Sequence, residues 1–408
     1  MLQPGSITSD PMALLDRPLW VVGSTITAAV ATWALIWLLQ PVAARWGLLD
    51  HPQGRKDHAH STPVTGGLGI ALALLVLALL VPLPMTQAKL GYVAGSALLI
   101  VVGLLDDLYD LRWWWRVLAQ VLAALAMVYI GGVRIEQLGP AFGLHDMALG
   151  MLSVPFTVFA TVGLINAVNM IDGADGVAGS LVGAALLMLA AAAWYAGNAG
   201  VAAVTLVIFG ATVGFLAHNF PLPWRRRARV FMGNAGSAFM GFSVAWIAFR
   251  LTQNPGHPVN PVLALWLLPV PVIDCLVLIV RRIRQRRSPF SADRDHVHHL
   301  MHDAGFGPAQ LCVVLTGLSL LAGLTVGQAM RLDVPNPLLL ALFVLACVAW
   351  LWLTLHRARA CRMFAGLHRV LFGRGKVADA VDMAVHESAS PAPVVEDRAE
   401  NGPDRRYG

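Results

Sequence analysis

Apolar residues fall in eleven runs along the chain, at about 20–42, 66–83, 90–105, 116–133, 148–168, 177–196, 199–218, 230–250, 260–280, 310–330 and 337–355. Most approach the roughly 20 residues that an α-helix needs to cross a bilayer, the third being short. The pattern predicts an all-α polytopic membrane protein with about 11 transmembrane helices over residues 20–355. A short segment, 1–19, precedes them and a tail, 356–408, follows. The tail is basic at first; beyond about Val377 it is rich in Ala, Pro, Glu and Asp without periodicity, which predicts disorder. Residues 1–20 carry one cation, Arg17, and no cleavage pattern, so the first run reads as a retained span.

Composition supports the pattern. Of 408 residues, 57% are hydrophobic and 13% charged; a soluble domain of this length does not bury so much apolar surface behind so few charges. The net charge of +6 raises nucleic acid as a partner, and the placement of the cations excludes it. If successive runs alternate in direction, 24 of the 29 Lys and Arg lie on one side, in segments 43–65, 106–116, 219–229, 281–309 and 356–408, and 5 on the other. The basic side is cytoplasmic, which puts the N-terminus in the periplasm and the C-terminus in the cytoplasm. Cys275, Cys312, Cys347 and Cys361 show no paired spacing and read as structural, neither disulfide nor zinc ligands.

The polar motifs gather on the basic side. Asn166, Asn169, Asp172 and Asp175 advance by three in a stretch punctuated by Gly173, Gly176 and Gly179. On a straight helix such steps wander round the surface, so the glycines predict a helix that ends near Met170 or Ile171 and restarts near Ala174. The break frees backbone N–H groups and lets two carboxylates converge, which suits Mg²⁺ and a phosphate. Asp-Gly-Ala-Asp-Gly lacks the ligand spacing of an EF-hand. Asp106 and Asp107 are adjacent at a membrane end, with Asp110 one turn on; their repulsion implies a cation, and oxygen-only ligands point to Mg²⁺ or Mn²⁺.

The last loop holds Arg281, Arg282, Arg284, Arg286 and Arg287, then Asp293, Arg294, Asp295, His296, His298 and His299. No Glu stands between His298 and His302 and no cysteine is near, which argues against zinc. Arg294 and the histidines read as anion-binding, the flanking arginines as topogenic, and His302 as structural. Trp113, Trp114 and Trp115 read as an interfacial belt. A divalent ion held by acids beside bases that bind phosphate is the equipment of phosphoryl transfer, and the embedding makes a lipid the natural second substrate. A transporter of a lipid-linked anion is the alternative; it predicts internal repeats and mid-membrane polar residues, and the sequence shows no repeat.

These motifs closely resemble the polyprenyl-phosphate N-acetylhexosamine-1-phosphate transferases. The resemblance covers residues 45–310 and rests on D-x-P-x-x-R-K-x-H from Asp50 to His58, D-D-x-x-D from Asp106, N-x-x-N-x-x-D-G-x-D-G from Asn166, and H-x-H-H from His296. The histidine loop is most similar to the branch that uses UDP-GlcNAc, and differs from the peptidoglycan-precursor branch. The resemblance implies transfer of GlcNAc-1-phosphate from UDP-GlcNAc to undecaprenyl phosphate in the bacterial inner membrane, with release of UMP, for O-antigen or related glycans. By the same analogy Asp106 and Asp107 serve Mg²⁺, Asp172 and Asp175 sit at the reacting phosphates, and Asn166 and Asn169 orient them. Arg55, Lys56 and His58 meet phosphate, and His296, His298 and His299 the nucleotide-sugar. The family pattern F-M-G-D-A-G-S has Asn234 in place of its Asp here. Asn234 is therefore either a weaker metal ligand through its amide oxygen or a cap for the helix beginning at Ala235. A monomer and a homodimer are equally compatible with the sequence.

Overall fold

The computed structural model describes residues 18–50, 61–80, 85–143, 147–225, 227–253, 259–288 and 295–373. Each apolar run lies on a helix: α1 (Pro18–Trp46), α2 (Gly66–Leu80), α3 (Gln87–Tyr109), α4 (Trp113–Leu125, continued by a π-turn over Ala126–Ile130), α5 (Ser153–Ile171), α6 (Val177–Tyr195), α7 (Ala199–Asn219), α8 (Gly233–Thr252), the pair α9 (Pro261–Leu267) and α10 (Pro269–Arg284), α12 (Pro308–Arg331) and α13 (Asn336–Thr354). Two helices lie outside the runs, α11 (Val297–Asp303) and α14 (Arg357–Phe372). The class is the predicted one, a helical membrane protein.

Among the described residues eight helices are long and apolar enough to cross a membrane, or nine with α9 and α10 as one broken span, against the eleven expected. The second run holds α2, of which 15 residues are described, and residues 81–83 of that run lie outside the described set. The eighth run is α8, enclosed by α2, α3, α5 and α6 and buried along most of its length. A helix surrounded by protein needs no continuous apolar surface, and α8 opens on Gly233, Asn234, Gly236 and Ser237.

Small residues bring α8 close to its neighbours, as expected where helices associate inside a bilayer. A Cβ on Gly67 would fall 2.2 Å from the Gly236 Cα, and one on Gly103 would fall 2.3 Å from the Ala235 Cα. The C-terminal end of α3 is thereby drawn onto the N-terminus of α8. Between α9 and α10 the chain turns by 88°. The turn falls at Leu268-Pro269: the residue before proline is pushed out of the α region, and Pro269 has no N–H for the preceding turn. The outer faces of α1, α5, α12 and α13 expose Trp37, Phe159, Leu321 and Val348, as a lipid solvent permits.

One end of the bundle is polar. Leu49–Asp50 pairs antiparallel with Thr62–Pro63, Leu49 opposite Pro63. Phe231 N–H donates to the Pro63 carbonyl at 2.8 Å, pinning the base of this hairpin beside α8. Arg55, Lys56 and His58, between these two strands in the sequence, lie outside the described residues. The basic start of the tail is α14, which packs on α11; residues 374–408 are outside the described set. Cys275, Cys312, Cys347 and Cys361 are free thiols. At the opposite end, Gln253 Oε1 accepts from the N–H groups of Glu136 and Gln137 at 2.8 and 3.1 Å.

Candidate active site

The glycine-broken stretch behaves as its spacing implies. α5 ends at Ile171, and Asp172 leaves the helix with φ −77° and ψ 45°. The chain reverses through Gly176 at φ +78°, whose N–H donates to Asn219 Oδ1 at 2.9 Å, before α6 begins at Val177. The restart comes three residues after the expected Ala174. Asp175 Oδ2 accepts the Ala228 N–H at 2.8 Å, tying the turn to the loop after α7. Burial raises the Asp172 carboxyl well above the usual carboxylate range, and the charges of Asp107 and Asp175 raise it further. Carboxylates from two distant motifs therefore act on one another.

The pair at the end of α3 divides its work. Asp107 accepts from the N–H groups of Asn234 (2.8 Å) and Ala235 (3.2 Å), so it caps α8 from another helix. Gly233, at φ +75°, leaves room for it: a Cβ there would lie 2.7 Å from Asp107 Oδ2. Capping by the Asn234 side chain, one of the two expectations, does not occur: α8 already begins at Gly233, and no side-chain cap bond forms there. The Asn234 amide oxygen instead accepts from Asn169 Nδ2 at 3.1 Å, which also donates to Ser237 Oγ at 2.8 Å. Asp106 turns the other way: Oδ1 accepts the Leu111 N–H at 2.9 Å, while Oδ2 stands 3.5 Å from the Arg116 guanidinium. That Oδ2 is buried without a hydrogen-bond partner. Asn166 donates to Gln120 Oε1 at 2.7 Å.

The histidines flank and form α11, only seven residues long. Asp274, on α10, holds its start: Oδ2 accepts from His296 Nδ1 at 3.0 Å and Oδ1 from the Val297 N–H at 3.1 Å. Arg357 on α14 binds Asp295 at 3.0 Å and also pairs with Asp303, gripping both ends of α11. His298 is 2% exposed, and neither ring nitrogen has a hydrogen-bond partner. Its Nε2 faces Gly173, where a Cβ would come within 2.6 Å. Burial, with His299, His296 and His302 adding, holds its pKa well below the ordinary imidazole value. Arg294 lies outside the described residues.

Two cavities open at this end. The larger, about 1190 Å³, is lined by Gly173, Asp175, Arg227, Arg229, His298, His299 and His302 among others. The smaller, about 480 Å³, is lined by Asp106, Arg116, Asn166, Asn169, Asn234, Arg282 and His296, and by apolar Leu99, Val102, Phe159, Val162 and Ile279. The three rings stay together, His296 lying 5.6 Å from His298 and 6.5 Å from His299 between centroids, but His296 lines the smaller cavity and the other two the larger. The end of α5 (Asn166, Asn169, Met170) lines the smaller cavity, and the turn after it (Gly173 to Asp175) the larger.

Sequence reasoning passed over Asp274, although a lone carboxylate inside the apolar run 260–280 was the available signal. Arg227 and Arg229 had been absorbed into the topogenic count, and Gln120 and Arg116 carried no motif.

The donor chemistry fits a hard cation in part. Asp106 Oδ2, without a hydrogen-bond partner and 3.5 Å from the Arg116 guanidinium, and the carboxylates of Asp107, Asp172 and Asp175, whose charges act on one another, are oxygen donors. Among the described residues no three His, Cys, Asp or Glu stand close enough to hold a metal alone. Mg²⁺ commonly takes one or two carboxylates and completes its shell with water and substrate phosphates, which is compatible with this arrangement.

Residues 89–252 match the profile of glycosyl transferase family 4. The chain is 36% identical over 314 residues to the undecaprenyl-phosphate alpha-N-acetylglucosaminyl 1-phosphate transferase of Yersinia pestis, covering 77% of this chain and 86% of that protein. It is 34% identical to the protein of that name from Escherichia coli strain K12, covering 79% and 87%. The Haemophilus influenzae protein of that name is 35% identical, covering 69% and 79%.

The raised carboxyl at Asp172 predicts a stability cost. Its folded-state contribution is fully present below the unfolded pKa of about 4 and is lost as pH rises toward the folded value. With a chelator present, Asp172→Asn should melt on the order of a few degrees higher than the native protein at pH 8 while losing activity. The gap should shrink toward pH 5. Thermal unfolding in detergent across that range checks it; a variant that melts lower at pH 8 contradicts the reading.

Proposed function

This chain belongs to glycosyl transferase family 4, and on that premise we propose that it transfers GlcNAc-1-phosphate from UDP-GlcNAc to undecaprenyl phosphate. The products are UMP and undecaprenyl-diphospho-GlcNAc, for O-antigen or a related glycan. One observation carries the reading: two chemically different cavities lie next to one another in the chain's fold, the smaller lined by the end of α5 and His296, the larger by the turn that follows α5 and by His298, His299 and His302. The larger, with Arg227, Arg229 and three histidines beside Asp175, suits a nucleotide diphosphate sugar. The smaller has a polar head at Asn166, Asn169, Arg116 and Arg282, and an apolar wall along α5. From Asn169 to Phe159 that wall extends about 15 Å at 1.5 Å per residue. It suits a phosphate carried on a hydrocarbon chain.

In the reaction an oxygen of the lipid phosphate forms a bond to the sugar-bearing phosphorus as the bond to the UMP phosphate breaks. Both reactants are anions, so approach requires neutralised charge. Asp107 and Asp172, whose charges act on one another, would hold Mg²⁺ or Mn²⁺, whose charge offsets that of the diphosphate when bound. Asp175, anchored by the Ala228 N–H, is aimed into the larger cavity beside the reacting phosphates. His298, neutral and without a partner, offers a buried donor or acceptor to the nucleotide-sugar. Sidedness follows from the cation bias, which puts both cavities on the cytoplasmic face of the inner membrane.

Purified protein with Mg²⁺, labelled UDP-GlcNAc and undecaprenyl phosphate should release UMP and labelled lipid. Asp175→Asn should lower turnover by roughly 10²–10⁴-fold while UDP-GlcNAc still binds. Near-normal turnover would remove Asp175 from the chemistry.

Position 234 tests the metal. The native amide removes one negative charge beside Asp107, so Asn234→Asp should need less free Mg²⁺ for half-maximal rate. Superimposable Mg²⁺ titrations would place the metal elsewhere.

Leu332 is 77% exposed in the turn between α12 and α13. Leu332→Cys should react with an impermeant thiol reagent from the periplasmic side; protection there would invert the proposed orientation.

A further inference from the structure

Asp274 is a carboxylate 3% exposed on the bent helix α10. Three donors from two parts of the chain converge on it: His296 Nδ1 at 3.0 Å and the Val297 N–H at 3.1 Å from the start of α11, and the Trp350 indole N–H at 3.3 Å from α13. A carboxylate only accepts, so Nδ1 of His296 carries a proton. The remaining nitrogen, Nε2, is the one available to the smaller cavity that His296 lines. A seven-residue helix has little stability of its own, so docking contacts set the direction of α11. Asp274 supplies them at the end nearest the cavity.

We propose that Asp274 is a positioning residue for the acceptor phosphate: it fixes His296 so that Nε2 meets that phosphate from inside the smaller cavity. With Nδ1 engaged by the carboxylate, Nε2 is the ring atom left to hydrogen-bond the phosphate. Arg116 and Arg282 line the same cavity and complete an anion site there. The inference rests on the reading of this cavity as the acceptor's. It extends that reading by assigning a role to a residue outside the recognised motifs.

Asp274→Asn separates position from packing. The amide oxygen still accepts from Val297 and Trp350, so α11 stays docked. The amide N–H₂ then faces His296 Nδ1, which must become an acceptor, so the hydrogen-bonding role of Nε2 changes with it. kcat/KM for undecaprenyl phosphate should fall about 10–100-fold, the cost of a hydrogen bond to a charged group, with KM for UDP-GlcNAc within about twofold of native. Because Asp274 acts through His296, Asp274→Asn added to His296→Ala should cost less than about twofold more. Multiplicative losses would make Asp274 merely structural and overturn the proposal.

A second measurement needs no turnover: stabilisation of the detergent-solubilised protein by undecaprenyl phosphate alone, read as a shift in Tm. The native protein should be stabilised, and the two single variants and the double variant equally less so. Native stabilisation without turnover of UDP-GlcNAc would refute the proposed reaction and leave this site standing. An unchanged lipid-induced shift in Asp274→Asn, or none in the native protein, would refute the site.

Discussion

The site depends on the capping of α8 by Asp107. The N-terminus of this helix lies inside the bundle, where its first N–H groups have no water to bind, and an unmet buried donor costs about 1–3 kcal/mol. Asp107 meets the N–H groups of Asn234 and Ala235 from the end of α3. A carboxylate also suits the positive end of a helix dipole, and such caps contribute roughly 0.5–2 kcal/mol. Gly103 and Gly233 supply the close approach that the contact needs. Once α8 is held there, the Asn234 amide oxygen meets Asn169, and α5 is registered against α8 one turn before its break.

Each buried charge near the polar end has its own answer, and the exceptions mark the chemistry. Asp107 has a helix terminus and Asp274 has three donors. Asp106 is answered on one oxygen and left open on the other. His298 has no partner on either nitrogen, and Asp172 is raised by burial and by like charges. Buried polar atoms in folded proteins are almost always paired. Asp106 Oδ2 and the His298 nitrogens, left unpaired, border the two cavities, as expected where a ligand supplies the missing partner. Stability and function pull apart at this point, because a protein optimised only for folding would neutralise Asp172.

Two breaks in helical structure organise the cavities. The glycine-rich interruption ends α5, and the proline-directed bend before α10 divides the apolar run 260–280. The first sets Asn166 and Asn169 toward one cavity and Asp175 toward the other. The second carries Asp274 and Arg282 beneath α11. That helix, with Asp274 at its start and Arg357 across its ends, then serves both cavities through His296 on one side and His298 on the other.

Hydrophobic periodicity and charge bias determined the membrane class, the positions of the helices, and the gathering of the motifs at one end, because each is a property of local composition. The break near Asp172 was legible for the same reason: glycine spacing is local. The span count was not, since whether a helix meets lipid or protein depends on its neighbours, as α8 demonstrates. The paired acids at 106 and 107 read as a metal site, but only tertiary structure decided that Asp107 spends its charge on the terminus of α8. Asn234 offered two roles to the sequence, and the fold removed the capping role: α8 already begins at Gly233, and Asp107 meets the Asn234 N–H from 127 residues away. His296, His298 and His299 share one motif, yet the angle of α11 divides them between two cavities. That angle is set by Asp274 and Arg357, whose partners are distant in the chain, and no local pattern encodes a contact between distant segments.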